Sequence, residues 1–342
     1  MNYLALAFKD NRPTKAISEL SRMFGIRSLG QVGADLSKAF KQAGSGFQFD
    51  LSSLGFFRPD LGVPTYQGKY PKNRLAPIFH GFDRVGGGKH YSQRVTRKTA
   101  TDFRGLPLSY DEHDGVDFAC PIGTALVAAA PGHVVMIREN WLRGGMTIAV
   151  DHGHGLITQY THCWKPLVHL GQFLQRGEPL ALSGSAGLDM TISFPWLPPH
   201  IHFMVWDHGR PIDPFLKDHE PDHAGTWLSR NAPTPAPVLV ETPPHYSAVH
   251  EATVIRMIAS CTDEKLVKEM QALDGNPHYL AAYLEDSFHH DSYAWPDDAA
   301  TTELRPREKS ATKLTLPLCP KHYDGAFFAD YKIADKSFWI DA

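Results

Sequence analysis

The sequence is poor in cysteine, in long apolar runs and in net charge. Its four cysteines, Cys120, Cys163, Cys261 and Cys319, are scattered over 342 residues with no Cys-x-x-Cys pair. That excludes a disulfide scaffold. Isolated small core residues are the simplest reading, with one or two disulfides left open. No apolar run approaches the ~18 residues of a membrane span, so no transmembrane helix is expected. Lys and Arg total 34 against 37 Asp and Glu, a net charge of -3. Such a near balance argues against a nucleic-acid binder, which normally carries a basic excess. The apolar start at Met1–Phe8 is too short for a signal-peptide core, and no small-residue cleavage site follows it. Histidine is absent before His80.

What is present begins with histidine. Of 19 histidines, 13 fall between His80 and His223, a local excess of the commonest metal ligand. With 42% hydrophobic and 21% charged residues the chain reads as folded. At ~150 residues per domain its length suggests about two domains.

Residues 1–79 read as an N-terminal accessory segment. Ile17, Leu20, Met23 and Phe24 recur at helical spacing, and 35–43 is a second helical candidate. Residues 44–68, rich in Gly, Ser, Phe and Pro, read as irregular or as short strands. Residues 80–229 form the central unit, with its core at 105–217. Gly86-Gly87-Gly88 near its start lacks the spacing of a phosphate loop. Short β-branched runs at Thr124–Ala130, His133–Ile137, Met146–Val150, Leu156–Tyr160, Pro179–Leu182 and His200–Trp206 read as strands between tight turns. The expected fold is a mainly β, compact antiparallel domain with flanking helical segments, α+β overall. Five prolines within 230–246 mark an extended linker. Residues 247–342 read as a C-terminal, partly helical accessory region. Its helices are expected at Val249–Ile258, Thr262–Leu273 and Pro277–Phe288.

Three short constellations carry chemistry. His113-Asp114-Gly115-Val116-Asp117 offers an imidazole and a carboxylate suited to zinc. Fully extended, they would stand roughly 13 Å apart, so the chain must bend at Gly115 for one ion to reach both. In Pro199-His200-Ile201-His202-Phe203 the two imidazoles share a strand face, and spacing does not say whether one or both bind metal. His162 ends the strand at Gln159-Tyr160-Thr161-His162. Each pattern alone is compatible with a polar turn or a satisfied structural histidine. Together, in one β segment, they gain weight. His219-Glu220-Pro221-Asp222-His223 fits His-Glu-x-x-His, but that motif needs a helix, and Pro221 would cost about 3 kcal/mol inside one. It reads as a solvated loop.

Together these residues resemble the lysostaphin-type (LytM-like) zinc metalloendopeptidases, which cut peptidoglycan peptides. His113-Asp114-Gly115-Val116-Asp117-Phe118 follows the family's His-x-Gly-x-Asp signature. Ala129-Ala130-Pro131-Gly132-His133-Val134, Val150-Asp151-His152-Gly153-His154-Gly155 and Tyr160-Thr161-His162 resemble its next turn, central hairpin and catalytic histidine. Ser183-Gly184-Ser185-Ala186-Gly187 and Pro199-His200-Ile201-His202-Phe203 resemble its closing elements. The likeness covers roughly 105–217. Leu188–Pro198 is longer than the family's usual link, and 84–112 looks extended.

The resemblance implies one zinc ion, with His113, Asp117 and His202 as ligands and water in the fourth position. It makes His162 and His200 catalytic without ligating the metal. The implied reaction is hydrolysis of peptide bonds in peptidoglycan stem peptides or cross-bridges by metal-activated water. Which of the two histidines is the base stays open. The alternatives are a non-catalytic cell-wall-binding scaffold or hydrolase activator, recognised by missing ligands, and a zinc endopeptidase acting on glycine-rich proteins. Peptidoglycan as partner implies a periplasmic or extracellular location. With no signal peptide visible, secretion-system effectors and phage-associated lysins are the routes considered. The C-terminal region is expected to be a separate unit that positions substrate or binds a protein partner.

Overall fold

The computed structural model describes residues 2–36 apart from 10, 12 and 29, then 57–84 and 112–215. It further describes 226–291 apart from 230, 231, 238 and 239, and 294–341 apart from 330, 331 and 334. Most of the helical candidate at 35–43, the Gly86–Gly88 triplet and the decoy at 219–223 lie outside the described residues.

The helices of the described residues include α1 Tyr3–Phe8, α2 Pro13–Met23, α3 Pro59–Tyr66, α4 Leu188–Ile192, α5 Glu251–Ser260, α6 Glu264–Gln271 and α7 Pro277–His290. The strands before the first hairpin are β1 Lys69–Pro71, β2 Leu75–His80, β3 Asp83–Arg84, β4 Glu112–His113 and β5 Val116–Ala119. They continue as β6 Ala125–Val127, β7 Gly132–Asn140, β8 Gly145–Asp151, β9 Leu156–Pro166, β10 Phe173–Leu174 and β11 Pro179–Ser183. The last are β12 His200–Asp207, β13 Arg210–Ile212, β14 Gly325–Phe328 and β15 Trp339–Asp341. The six strands expected between 124 and 206 appear as β6, β7, β8, β9, β11 and β12, and the helix expected around Ile17–Phe24 is α2. The three expected C-terminal helices are α5, α6 and α7. No disulfide joins the four cysteines, and Cys120 and Cys163 are buried.

The main sheet runs β10-β7-β8-β9-β12-β5-β2-β14. It is antiparallel except where β14 lies parallel to β2. Alternation along β12 divides its side chains. Ile201, Phe203 and Val205 join Phe118, Tyr160 and Trp227 in the largest apolar cluster. Met204 and Trp206 face the other way, against Ile157, Ala149 and Ala282 of α7. Both faces are covered, which is why these strands read as nearly unbroken apolar runs. One stretch differs from expectation. Residues 59–66, within the segment read as irregular or as strands, form α3, with Pro59 in its first turn and Leu61, Thr65 and Tyr66 buried. Proline at a helix start lacks only an N–H that would be unpaired there anyway.

Helix α7 carries Glu285, Asp286 and Ser287, all buried. Their burial is tolerated because each has a partner. Arg138 of β7 reaches Asp286 at 2.6 Å and Asp291 at 2.7 Å, lying over the Tyr283 ring at 4.4 Å. Arg305 bonds Glu285 at 2.8 Å, and Trp295 donates to Ser287 Oγ at 2.9 Å. The helix is thereby locked across the sheet. The described part of the proline-rich stretch, and Ser247 just after it, are pinned to the same body. Arg176 holds Glu241 at 2.7 Å, and Ser247 Oγ donates to Asp151 at 2.6 Å.

Packing is continuous across residues 80 and 230. Strand β2 pairs with β5, and β14 extends the sheet from the C-terminal side. Leu314, Leu316, Leu318 and Tyr323 are fully buried in the largest apolar cluster. Among the described residues no helix is long and apolar enough to cross a membrane. At about 2 kcal/mol per buried large side chain, those four contribute roughly 8 kcal/mol, comparable to a domain's whole stability. A chain ending at residue 229 should therefore fail to fold. Loss of near-ultraviolet circular dichroism and of a cooperative unfolding transition would show it. A cooperatively folded fragment would contradict the packing account.

Candidate metal centre

The residues singled out by sequence converge on one sheet face. Antiparallel pairing of β12 with β5 sets His202 opposite Asp117, and pairing with β9 sets His202 opposite Thr161. His202 Nδ1 lies 2.8 Å from Asp117 Oδ1. His113 Nε2 lies 3.2 Å from Asp117 Oδ2, and His200 Nε2 is 3.5 Å from Oδ1. The His162 and His200 rings meet edge to face with centroids 4.6 Å apart. All five side chains are buried.

The expected bend at Gly115 is present. Its backbone does not need the left-handed region. A Cβ there would instead lie 2.8 Å from the His202 ring and from the Phe203 carbonyl oxygen. Glycine is required because the imidazole of His202 packs directly on the bend.

His162 is placed by strain. Its φ is 64°, the left-handed region that few non-glycine residues adopt. Its N–H donates to Gly144 O at 3.0 Å, and its own carbonyl accepts from Gly184 at 2.9 Å. The β8–β9 and β11–β9 registers both shift nearby. Such bulges re-aim a side chain out of the regular alternation. His162 Nδ1–H donates to Ala186 O at 2.6 Å, leaving Nε2 toward Asp189 at 4.0 Å. The loop carrying Ala186 rests on the N-terminal segment, since Ser185 N donates to Met23 O at 2.8 Å. Tyr66 Oη and Ser185 Oγ are 2.7 Å apart.

Two residues of the site were not picked out by sequence. His80 closes β2, opposite Asp117 in the β2–β5 register, and its Nδ1 lies 3.1 Å from Asp117 Oδ2. Donor atoms of His80, His113 and Asp117 lie within 4.8 Å of one another. Asp114, inside the quoted motif but given no role, accepts from His202 Nε2 at 3.0 Å. The start of the histidine-rich stretch was the only sequence signal for His80, and its place in the quoted motif the only one for Asp114.

Charge organises the site. Burial alone would raise the Asp117 carboxyl, but the His113 and His200 imidazoles hold it well below the usual carboxylate range. Asp114 is likewise held far down against its burial, by His202 and His289. Burial would lower His202, yet the carboxylates of Asp114 and Asp117 push it up to about 10. Burial pushes His80 down to about 4 and His200 down to about 3. The metal-free site thus holds a proton on His202 between two buried carboxylates. A cation suits that arrangement.

The donor set fits zinc. In a tetrahedral site with bonds of 2.0–2.1 Å, ligand atoms stand about 3.3 Å apart. His113 Nε2 stands 3.2 Å from Asp117 Oδ2, near that spacing, and His202 Nδ1 stands at the other oxygen at a hydrogen-bond distance of 2.8 Å. His113 Nδ1–H is tied to Gly81 O at 2.7 Å, and His202 Nε2–H to Asp114 at 3.0 Å. Ligating histidines typically anchor their second nitrogen in this way.

The five residues lie within a stretch that resembles known proteins. Residues 111–214 match the Peptidase family M23 model, and this stretch of the chain is a Peptidase M23 (LytM-type) domain. The peptidoglycan DD-endopeptidase ShyA of Vibrio cholerae is 38% identical over 101 residues, which make up 30% of this chain and 22% of ShyA. The murein hydrolase activator EnvC of Escherichia coli is 31% identical over 93 residues, 27% of this chain and 20% of EnvC. A solved zinc containing peptidase from Vibrio cholerae aligns over 44% of this chain and 39% of its own, at 29% identity and a TM-score of 0.33. The chain spans well under two thirds of the length of each relative.

Gly115→Ala should displace the His202 ring and weaken metal binding by about tenfold or more, the scale of a lost orienting contact. Competition with a chromophoric chelator measures it. Unchanged affinity would mean that the ring does not depend on the bend.

Proposed function

We propose that this chain is a zinc-dependent endopeptidase that hydrolyses peptide bonds of peptidoglycan stem peptides or cross-bridges. The observation that carries this reading is the convergence of His113 Nε2 and His202 Nδ1 on the two oxygens of Asp117, with His162 and His200 beside them. His113, Asp117 and His202 are the ligands in this reading. His80 donates to Asp117 Oδ2 and orients the carboxylate in this reading. Zinc held there would supply Lewis acidity toward a scissile carbonyl and would acidify water.

The chain's own residues supply the proton handling. His162 and His200 each give Nδ1–H to a backbone carbonyl, of Ala186 at 2.6 Å and of Pro198 at 2.8 Å. That fixes the neutral tautomer with the lone pair on Nε2. With Nδ1–H held by the Pro198 carbonyl, His200 presents its lone pair at Nε2 and can accept a proton there. Once protonated, either ring can donate a hydrogen bond to an oxyanion. Peptidoglycan as the substrate class is supported by the likeness to the peptidoglycan DD-endopeptidase ShyA, and in this reading the activity lies outside the cytoplasmic membrane. The likeness to EnvC keeps an activator role as the second reading. The complete set of ligands and flanking histidines favours the enzyme, because a binding module has no need of it.

Zinc content and digestion of purified sacculi test the proposal together. The chain should hold one zinc ion and release soluble muropeptides. His162→Ala and His200→Ala should keep the metal and lose activity by about 100-fold or more. His113→Ala, Asp117→Ala and His202→Ala should lose the metal, whereas His80→Ala should keep most of it. A zinc-loaded, folded protein inert on sacculi and on cross-linked muropeptides would favour the activator reading.

A further inference from the structure

The strands that build the metal centre face α7 on the same side of the sheet. Along β12, His200 and His202 stand at the site, and Met204 and Trp206 continue that face under the helix. The last turn of α7 therefore ends beside the site. The His289 ring packs edge to face on Trp206, with centroids 5.5 Å apart. Its Nε2 lies 2.5 Å from Asp114 Oδ2. The other oxygen of Asp114, Oδ1, lies 3.0 Å from His202 Nε2. One carboxylate thus bridges an imidazole of the C-terminal helix and an imidazole of the metal centre.

We propose that Asp114 and His289 are positioning residues for His202. His289 holds the Asp114 carboxylate, and Asp114 holds the His202 ring with Nδ1 turned toward Asp117 and the metal. The inference rests on the metal site proposed above.

Three features carry it. Asp114 is 3% exposed, so its carboxylate must be bonded on both oxygens, and each oxygen has one imidazole partner. The two candidate histidine ligands are backed differently. His113 leans on the neutral carbonyl of Gly81, while His202 leans on an anion. A carboxylate behind a ligating histidine fixes its tautomer and makes the facing nitrogen more basic. The helix end is itself rigidly set. Asp286 and Asp291, on either side of His289, are both gripped by the buried Arg138. The C-terminal region then contributes to the proposed metal centre directly, through the bond from His289 to Asp114.

A second cation on Asp114, His289 and His290 is the competing arrangement, since their donor atoms lie within 4.8 Å of one another. At 2.5 Å, His289 Nε2 and Asp114 Oδ2 are spaced as a hydrogen bond. Two ligands of one tetrahedral ion would stand about 3.3 Å apart.

The test uses the full chain, with zinc stoichiometry by elemental analysis and affinity by chelator competition. The wild-type chain should bind a single zinc ion. Asp114→Asn, which keeps shape and removes charge, should weaken zinc binding by about 10- to 100-fold. His289→Ala should weaken it by about tenfold, and His289→Gln, whose amide N–H can replace the donor, should restore it to within about threefold of wild type. The double variant Asp114→Asn/His289→Ala should be no weaker than Asp114→Asn alone, because His289 acts through Asp114. Metal-free melting temperatures separate this effect from a loss of folding, and Asp114→Asn carries the test if His289→Ala does not fold. Zinc affinities within about twofold of wild type for Asp114→Asn would overturn the inference while leaving the metal site intact. Two zinc ions in the wild-type chain, falling to one in His289→Ala, would also overturn it. A wild-type chain that binds no zinc would overturn the metal site and this inference with it.

Discussion

Two carboxylates, Asp114 and Asp117, are buried side by side among imidazoles, and the local structure is arranged around that constraint. Each would be untenable in an apolar interior without bonded, positively polarised neighbours. Four histidines surround Asp117, and His202 stands between the two carboxylates. In the metal-free protein a proton on His202, held there by both carboxylates, offsets part of that charge. The same geometry, with that proton exchanged for a cation at Nδ1, is the arrangement proposed for the metal. The stability of the buried carboxylates and the capacity to bind a metal are one property.

Meeting that constraint takes segments from across the chain. Strand β2 supplies His80, and the residue after it supplies the Gly81 carbonyl behind His113. The α2 end supports the loop that receives His162 Nδ1–H. Helix α7, fixed by Arg138, supplies His289 behind Asp114. The sheet core is closed by Leu314, Leu316 and Leu318. The M23 stretch at 111–214 holds the ligand candidates, but the groups that orient them come from both sides of it.

The strands between 124 and 206 were legible because short apolar, β-branched runs between turn residues report local conformation directly. So were the helices at 251–290, from their apolar spacing. The convergence of His113, Asp117, His162, His200 and His202 was anticipated from the resemblance, since spacing alone left the roles of His200 and His202 open. Long-range pairing was not legible. Nothing local says that Leu75–His80 lies against Val116–Ala119, or that Gly325–Phe328 adds in parallel beyond it, so His80 went unassigned. The helix at Pro59–Tyr66 was hidden by its own Gly62 and Pro64, residues that normally argue against one. His289 carries no sequence signal, because its meaning depends on where the helix end lands on the sheet.

The central claim is that one zinc ion sits on His113, Asp117 and His202. The most direct measurement is an anomalous-difference map at the zinc absorption edge from crystals of the zinc-loaded protein. The account predicts a single strong peak bonded to His113 Nε2, an Asp117 oxygen and His202 Nδ1, at about 2.0–2.2 Å. His162 and His200 should stand beside it without bonding it. A peak bonded to His80 in place of His202, or no peak between these residues, would contradict it.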